Sequence, residues 1–118
     1  MAEIPQPFLT VWWFVKQKKE PYHTILMHVH SDLARARSIY HINPDQIYEK
    51  LRKQEKLKIE GTNRDIKIGT VRRTLYAVIY GKRLEKDVDY LVTSGARGRK
   101  HLKFVNTPRA RAALRSLI

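Results

Sequence analysis

Apolar and polar residues alternate along this chain in runs whose spacing predicts both strands and helices. Residues 8–15 (FLTVWWFV) form a dense apolar run of residue types common in strands, and a polar break containing a proline follows it. Residues 23–30 (HTILMHVH) are again strand-like. These two runs predict an N-terminal β-hairpin with a loop longer than two residues. After it, Ser31 is a suitable cap for a short helix that ends near Tyr40.

Two helices have clearer starts. Asn43 is a good N-cap, Pro44 suits the first helical position, and Gln46 stands where a capping box needs it. A second, longer helix is predicted from Thr70 to about Lys82. Its apolar residues fall at i, i+4, i+7 and i+8, the spacing of a core-facing stripe: Val71, Leu75, Val78 and Ile79.

The remaining segments predict short elements. Residues 56–61 alternate and favour a strand, while residues 62–68 fit either a short helix, which we favour, or a strand that pairs back. Residues 88–92 and 102–105 predict two strands around a glycine-containing basic stretch, which is a β-hairpin with a cationic tip. Residues 107–108 (TP) then cap a final short helix. The predicted fold class is therefore α+β.

The distribution of positive charge along the chain gives the first indication of function. The chain of 118 residues carries a formal net charge of +13, and residues 61–118 hold fourteen basic and four acidic side chains. Residues 93–118 hold seven Lys or Arg and no Asp or Glu. A small domain with that much charge on a loop is suited to a polyanion, and DNA and RNA are the commonest polyanions.

Composition also excludes several classes of protein. The chain has no cysteine, which excludes disulfides, thiolate zinc sites and cysteine nucleophiles. No apolar run reaches the length of a membrane span, and the first residues lack the basic leader of a secretory signal. We therefore expect no membrane partner and a cytoplasmic, nucleoid-associated location.

Residues 68–75 (IGTVRRTL) resemble the turn and the start of the recognition helix in winged helix-turn-helix regulators. The resemblance covers about residues 43–105. It implies a winged helix-turn-helix core. Because no linker is evident in the sequence, we expect a single domain of residues 1–118, in which the N-terminal β-hairpin and helix of residues 1–42 and a short C-terminal helix are added to that core. The resemblance further implies binding of double-stranded DNA, with the recognition helix in the major groove and the Arg-rich hairpin as a wing.

Basic, tyrosine and threonine side chains of the long helix and the hairpin are the candidate nucleic-acid contacts. Arginine donates to guanine O6 and N7 or to phosphates, and hydroxyl groups donate to phosphates. The candidates are Thr70, Arg72, Arg73, Tyr76, Tyr80, Lys82, Arg83, Arg97, Arg99, Lys100 and Lys103. The alternative is that the helix arginines form only a solvated face and that the loop attracts nucleic acid without specificity.

A rival hypothesis starts from two histidines. On a strand, His28 and His30 would face the same side, where both imidazoles can bind one divalent metal. The pair resembles the metal motif of rolling-circle replication initiators, relaxases and related transposases. This resemblance implies a Mg²⁺- or Mn²⁺-dependent enzyme that nicks single-stranded DNA, with Asp32 completing the metal site. Tyr48 is the first candidate nucleophile and Tyr80 the second. Under the DNA-binding hypothesis no catalytic residue, metal or cofactor is expected.

Two further expectations concern partners. A structural RNA-binding protein, for instance of the ribosome, is a third hypothesis, because such proteins are small, basic and poor in cysteine. The apolar surface of residues 8–15 exceeds what one face of a strand can bury against its own domain. Either the strand is enclosed between the helix of residues 31–40 and the body of the domain, or one of its faces forms a homodimer through the N-terminal hairpin, which we favour.

Overall fold

The computed structural model of the protein describes residues 4–53 and 67–118. Over these residues the chain forms five α-helices and a three-stranded antiparallel sheet. The elements are α1 (Gln6–Lys16), α2 (Tyr22–Arg35), β1 (Ile39–His41), α3 (Pro44–Lys53), α4 (Ile68–Gly81), β2 (Tyr90–Ser94), β3 (Lys100–Val105) and α5 (Pro108–Arg115). The predicted α+β class is confirmed. The strand predicted over residues 56–61 and most of the ambiguous segment 62–68 lie outside the described residues.

The predicted N-terminal β-hairpin is wrong, because both of its runs are helical. An apolar run of eight residues does not by itself distinguish a strand from a buried helix segment. Here a proline in the first turn starts α1, and Val11, Trp12 and Val15 recur at helical spacing and pack on the core together with Phe14. Two apolar residues of the helix stay exposed: Leu9 at 46% and Trp13 at 50%.

Helix α2 shows the same helical period. Five of its buried side chains follow a spacing of i, i+3, i+4, i+7 and i+11: Tyr22, Ile25, Leu26, Val29 and Leu33. Met27, which strand alternation would bury, is 48% exposed. The helix predicted from Ser31 to Tyr40 is also wrong in its bounds, since α2 continues through Ser31 to Arg35 and Tyr40 lies in β1.

Strand β3 is the centre of the sheet, which has the order β1-β3-β2. β1 pairs with the end of β3, with Tyr40 opposite Phe104, and β2 pairs along its whole length, from Tyr90 opposite Phe104 to Ser94 opposite Lys100. The hairpin predicted around the basic stretch is therefore confirmed, although β2 begins two residues later than expected.

Helix α4 is the central element of the core. Its predicted stripe is buried throughout: Val71, Leu75, Val78 and Ile79. Ala77 and Thr74 are buried as well, because α1, α2 and α3 all pack against this helix. A single buried cluster joins side chains of all five helices and β3. None of the described helices is both long enough and apolar enough to cross a lipid bilayer.

Helix caps account for the predicted helix starts that are confirmed. The Asn43 side-chain oxygen accepts from the backbone N–H groups of Asp45 (3.1 Å) and Gln46 (3.3 Å) ahead of α3. The Thr107 hydroxyl accepts from the N–H of Ala110 at 3.0 Å and so starts α5. The apolar residues of the final segment face inward, as predicted: Ala110, Ala113, Leu114 and Leu117.

A buried carboxylate fixes the base of the β2–β3 hairpin. Asp89 is 1% exposed, and its side chain accepts from the backbone N–H of Glu85 (2.9 Å) and from the hydroxyl of Thr107 (2.8 Å). The guanidinium of Arg109 lies 3.7 Å away. Because Thr107 also caps α5, this one carboxylate ties the start of the hairpin to the last helix.

The contact between α1 and α4 can be tested with two glycines of one helix. A Cβ at Gly81 would lie 2.5 Å from the Trp12 ring, whereas nothing in residues 4–53 and 67–118 lies within 4 Å of a Cβ at Gly69. We expect Gly81→Ala to lower the free energy of unfolding by about 1–3 kcal/mol, because the clash outweighs the helix propensity of alanine. Gly69→Ala should instead leave stability unchanged or raise it by up to about 1 kcal/mol. Urea unfolding of both variants measures the difference, and equal effects would contradict the packing.

Candidate nucleic-acid interface

The first turns of α4 and the basic hairpin lie side by side. Arg72, in the second turn of α4, is exposed, and its guanidinium Nη2 donates to the backbone carbonyl of Lys100 at the start of β3. A hydrogen bond from a charged donor is stronger than one between neutral groups. This contact therefore holds the start of β3 beside the second turn of α4.

The hairpin tip presents three exposed basic side chains: Arg97, Arg99 and Lys100. The chain reverses there through two successive residues with positive φ, Arg97 (60°) and Gly98 (74°), which is the backbone of a tight hairpin turn. The Gly95 N–H donates to the Arg99 carbonyl at 2.6 Å and closes the loop. In the described part of the chain none of the three basic side chains forms an ion pair, so their charge is available to a ligand.

Thr70 and Arg73 lie in the first two turns of α4 and differ in their exposure. Thr70 is buried, and its hydroxyl accepts from the backbone N–H of Lys67 (3.4 Å) and from the Arg73 guanidinium (3.5 Å). Arg73 itself is exposed. Burial raises the pKa of the neighbouring Tyr22, and the positive charge of Arg73 offsets part of that rise. Arg73 thus presents its charge at the surface, while Thr70 serves the start of the helix.

Tyr76 and Tyr80 do not point freely outward, which corrects the orientation expected of them. Both rings are half-buried and contact the Phe8 ring of α1, with centroid separations of 5.8 Å and 5.4 Å. On the sheet side, burial raises the pKa of Tyr90, and the nearby Tyr80 and Tyr76 raise it further. Helix α1 therefore covers the second half of the outward face of α4.

The other candidate residues lie away from this corner. Lys82 and Arg83 follow the end of α4, about 20 Å along the helix axis from its start at 1.5 Å per residue. The Arg83 carbonyl accepts from the Arg109 guanidinium at 2.7 Å, so this segment faces α5. Lys103 is half-exposed in β3, three residues along the strand from Lys100. The structure therefore brings together Arg72, Arg99 and Lys100, and Arg97 lies in the same hairpin. Arg73 follows Arg72 on α4, and its charge acts on Tyr22 at the start of α2.

A groove of about 460 Å³ separates the hairpin from the start of α3. Its floor is apolar and consists of Ile42, Pro44, Leu75 and Leu102. Its rim is polar and consists of Asp45, Arg72, Arg99, Lys100 and His101. The His101 ring packs over Gly95, where a side chain would collide with it. We refer to these nine residues as the hairpin groove.

Sequence reasoning missed Asp45 and His101 as members of this site. Asp45 was visible only as an acidic residue in the first turn of a helix, a position that the helix dipole favours in any protein. His101 lies in the basic stretch, but the net charge counts histidine as neutral, so this residue did not contribute to the charge that marked the stretch. The packing of α3 against α4 brings Asp45 to the groove, and the contact of Arg72 with the start of β3 brings His101 there.

The paired-histidine site is wrong as a strand motif. His28 and His30 lie on α2, where residues two apart point to different sides of the helix. Burial lowers the pKa of His28, the charge of Lys50 lowers it further, and Asp32 opposes both effects. Within the described residues, no three or more His, Asp or Glu side chains are grouped so that they would hold a metal ion. Tyr48, the candidate nucleophile, is half-buried on α3.

Comparisons of this chain with protein-family models, with curated proteins and with solved structures find no match.

The Arg72 contact can be tested by comparing two adjacent arginines. Arg72→Ala removes the hydrogen bond to the hairpin, which is worth about 1 kcal/mol, so we expect about fivefold faster amide hydrogen exchange at Gly95. Arg73→Ala removes the same charge without a hairpin contact and should leave that rate unchanged. Exchange measured by NMR on both variants decides between them, and equal rates in wild type and Arg72→Ala would contradict the role of this bond.

Proposed function

We propose that the protein binds double-stranded DNA through a basic face formed by the first two turns of α4 and the tip of the β2–β3 hairpin. The observation that carries this proposal is the Arg72 side chain bound to the Lys100 carbonyl, which makes the two elements neighbours. Arg99 lies with Arg72 and Lys100, Arg97 is exposed in the same hairpin, and Arg73 is exposed at the next position of α4. Cations on one surface release counterions from DNA when they bind its phosphates, and this is the main source of affinity for duplexes.

The arrangement of elements supports a winged helix-turn-helix interpretation. From α2 onward the chain forms helix, strand, helix, helix and hairpin, and all three strands join one sheet. We propose α4 as the recognition helix and the hairpin as the wing. The proposed winged helix-turn-helix core begins at α2 rather than at Asn43, because α2 belongs to the same hydrophobic core and β1 to the same sheet.

Helix α1 limits how α4 would approach a duplex. Because Phe8 covers Tyr76 and Tyr80, only the first turns of α4 are open to a major groove. Residues at the N-terminal end of a recognition helix are those that contact base edges in helix-turn-helix proteins, so a covered C-terminal half is compatible with base contact. In this proposal Arg73 contacts a base edge or a phosphate, and the hairpin arginines contact phosphates or the minor groove.

The proposed role in the cell is regulation of transcription or organisation of DNA, and a role in RNA binding is the alternative that the same charges allow. The DNA-nicking hypothesis is not favoured, because the strand geometry on which its metal pair rested is replaced by a helix. Homodimerisation stays a prediction: α1 exposes Leu9 and Trp13, but the hairpin through which the dimer was expected does not form.

If the basic face binds duplex DNA, the affinity depends on salt concentration, and replacing one arginine of the hairpin tip changes that dependence. Loss of one phosphate contact in Arg97→Ala should weaken binding to all duplexes and reduce the slope of log affinity against log salt concentration by about 1. Arg115→Ala removes the same charge from α5, which follows the end of β3 opposite the tip, and should leave the slope nearly unchanged. Fluorescence anisotropy with a labelled duplex of about 20 base pairs measures both variants.

Two outcomes would contradict the proposal. One is equal loss of affinity in Arg97→Ala and Arg115→Ala, which would show that only net charge matters. The other is the absence of duplex binding at about 50 mM salt, where electrostatic binding is strong. An RNA duplex of the same length, titrated in parallel, separates DNA from RNA as the partner.

A further inference from the structure

We propose that the hairpin groove binds one unpaired nucleobase of a DNA strand, with the adjoining phosphates held by its arginine rim. This inference deepens the proposed function and rests on it. A groove of about 460 Å³ falls within the range of small-molecule sites, which runs from about 300 to 1,000 Å³. A groove of this volume has room for a ligand group that a smooth charged surface could not enclose.

The composition of the groove favours a base over a phosphate. Its floor is apolar, with Ile42 and Pro44 half-exposed on one side, and such a floor gains nothing from contact with a phosphate. The flat face of a base, in contrast, removes apolar area from water when it packs there.

Asp45 supplies a means of choosing among bases. It is exposed on the first turn of α3, and no side chain in the described part of the protein pairs with its carboxylate. A carboxylate accepts hydrogen bonds from an exocyclic amino group, as it does from cytosine N4. Thymine has no amino group, and its ring N–H is flanked by two carbonyl oxygens. The groove should therefore prefer cytosine to thymine.

The arginines at the opening of the groove can contact both a base and its phosphates. The Arg72 guanidinium is already fixed to the Lys100 carbonyl, so its plane is held beside the groove without further ordering. A planar guanidinium both stacks on a base and donates to a phosphate. Arg99, at the same opening, is available to the next phosphate along the strand. The ligand is thus a nucleotide within a strand, with its base inward and its backbone outward.

An unpaired base is required because a paired one is stacked within the duplex. Extracting it costs a few kcal/mol, and that cost is least where the strand is already single. The protein should therefore bind most tightly at a duplex end that carries a short single-stranded overhang. The duplex would lie on the basic face of α4 and the hairpin, and the first overhanging base would enter the groove.

The test uses three labelled duplexes with three-nucleotide overhangs of deoxycytidine, of thymidine and of abasic sites, which keep the phosphates and remove the bases. In anisotropy titrations we expect the cytidine overhang to bind at least about fivefold more tightly than the abasic one. It should also bind about fivefold more tightly than the thymidine overhang. Asp45→Asn should abolish most of the preference for cytidine over thymidine.

Glu49→Gln is the matched control, since it removes one negative charge from the next turn of α3 outside the hairpin groove and should keep that preference. Equal affinity for the cytidine and abasic overhangs would overturn this inference and leave the proposed duplex binding intact. An unchanged preference in Asp45→Asn would overturn the base contact assigned to Asp45. Failure of all three duplexes to bind would overturn the proposed function together with the inference.

Discussion

The burial of α4 is the constraint on which the rest of the structure depends. Val71, Leu75 and Val78 are enclosed by α1, α2 and α3, and burial of each such side chain stabilises the fold by about 1.5–3 kcal/mol. That enclosure fixes the rotation of the helix about its axis. Arg72 then faces the hairpin, Arg73 faces the surface, and the tyrosines of the later turns face α1. The accessible face of α4 is therefore set by packing and not by its own charges.

Except at Asp89 and Arg72, which hold the hairpin in place, charge and stability are separated in this protein. The core cluster is apolar, whereas the exposed ion pairs, such as Arg35 with Asp32 and Arg52 with Glu49, are each worth about 1 kcal/mol or less. The basic residues at the hairpin tip repel one another and contribute little to the fold. A net charge of +13 is consequently a burden to the isolated chain and an advantage beside a polyanion. This separation makes the tip arginines replaceable without loss of the core.

Sequence reasoning succeeded where local chemistry decides the structure. Asn43 and Thr107 cap their helices. The apolar residues of α4 recur at the period of a helix, and those of the hairpin alternate at the period of a strand, so each segment fits one type of element. It failed at residues 8–15 and 23–30, where apolar residues are so dense that periods of 2 and 3.6 both fit. It also failed at the site: Asp45 reaches the hairpin groove, and Phe8 reaches Tyr76 and Tyr80, only through tertiary packing. No local pattern carries such contacts.

Amide chemical shifts measured during titration with duplex DNA test whether one corner of the molecule contacts DNA. We expect the largest shift changes in residues 67–73 and 95–101, and only small changes in α5. A second basic surface, formed by Arg111 and Arg115 beside Pro108, offers a clear alternative. Changes concentrated on α5, with residues 67–73 and 95–101 unaffected, would contradict the account.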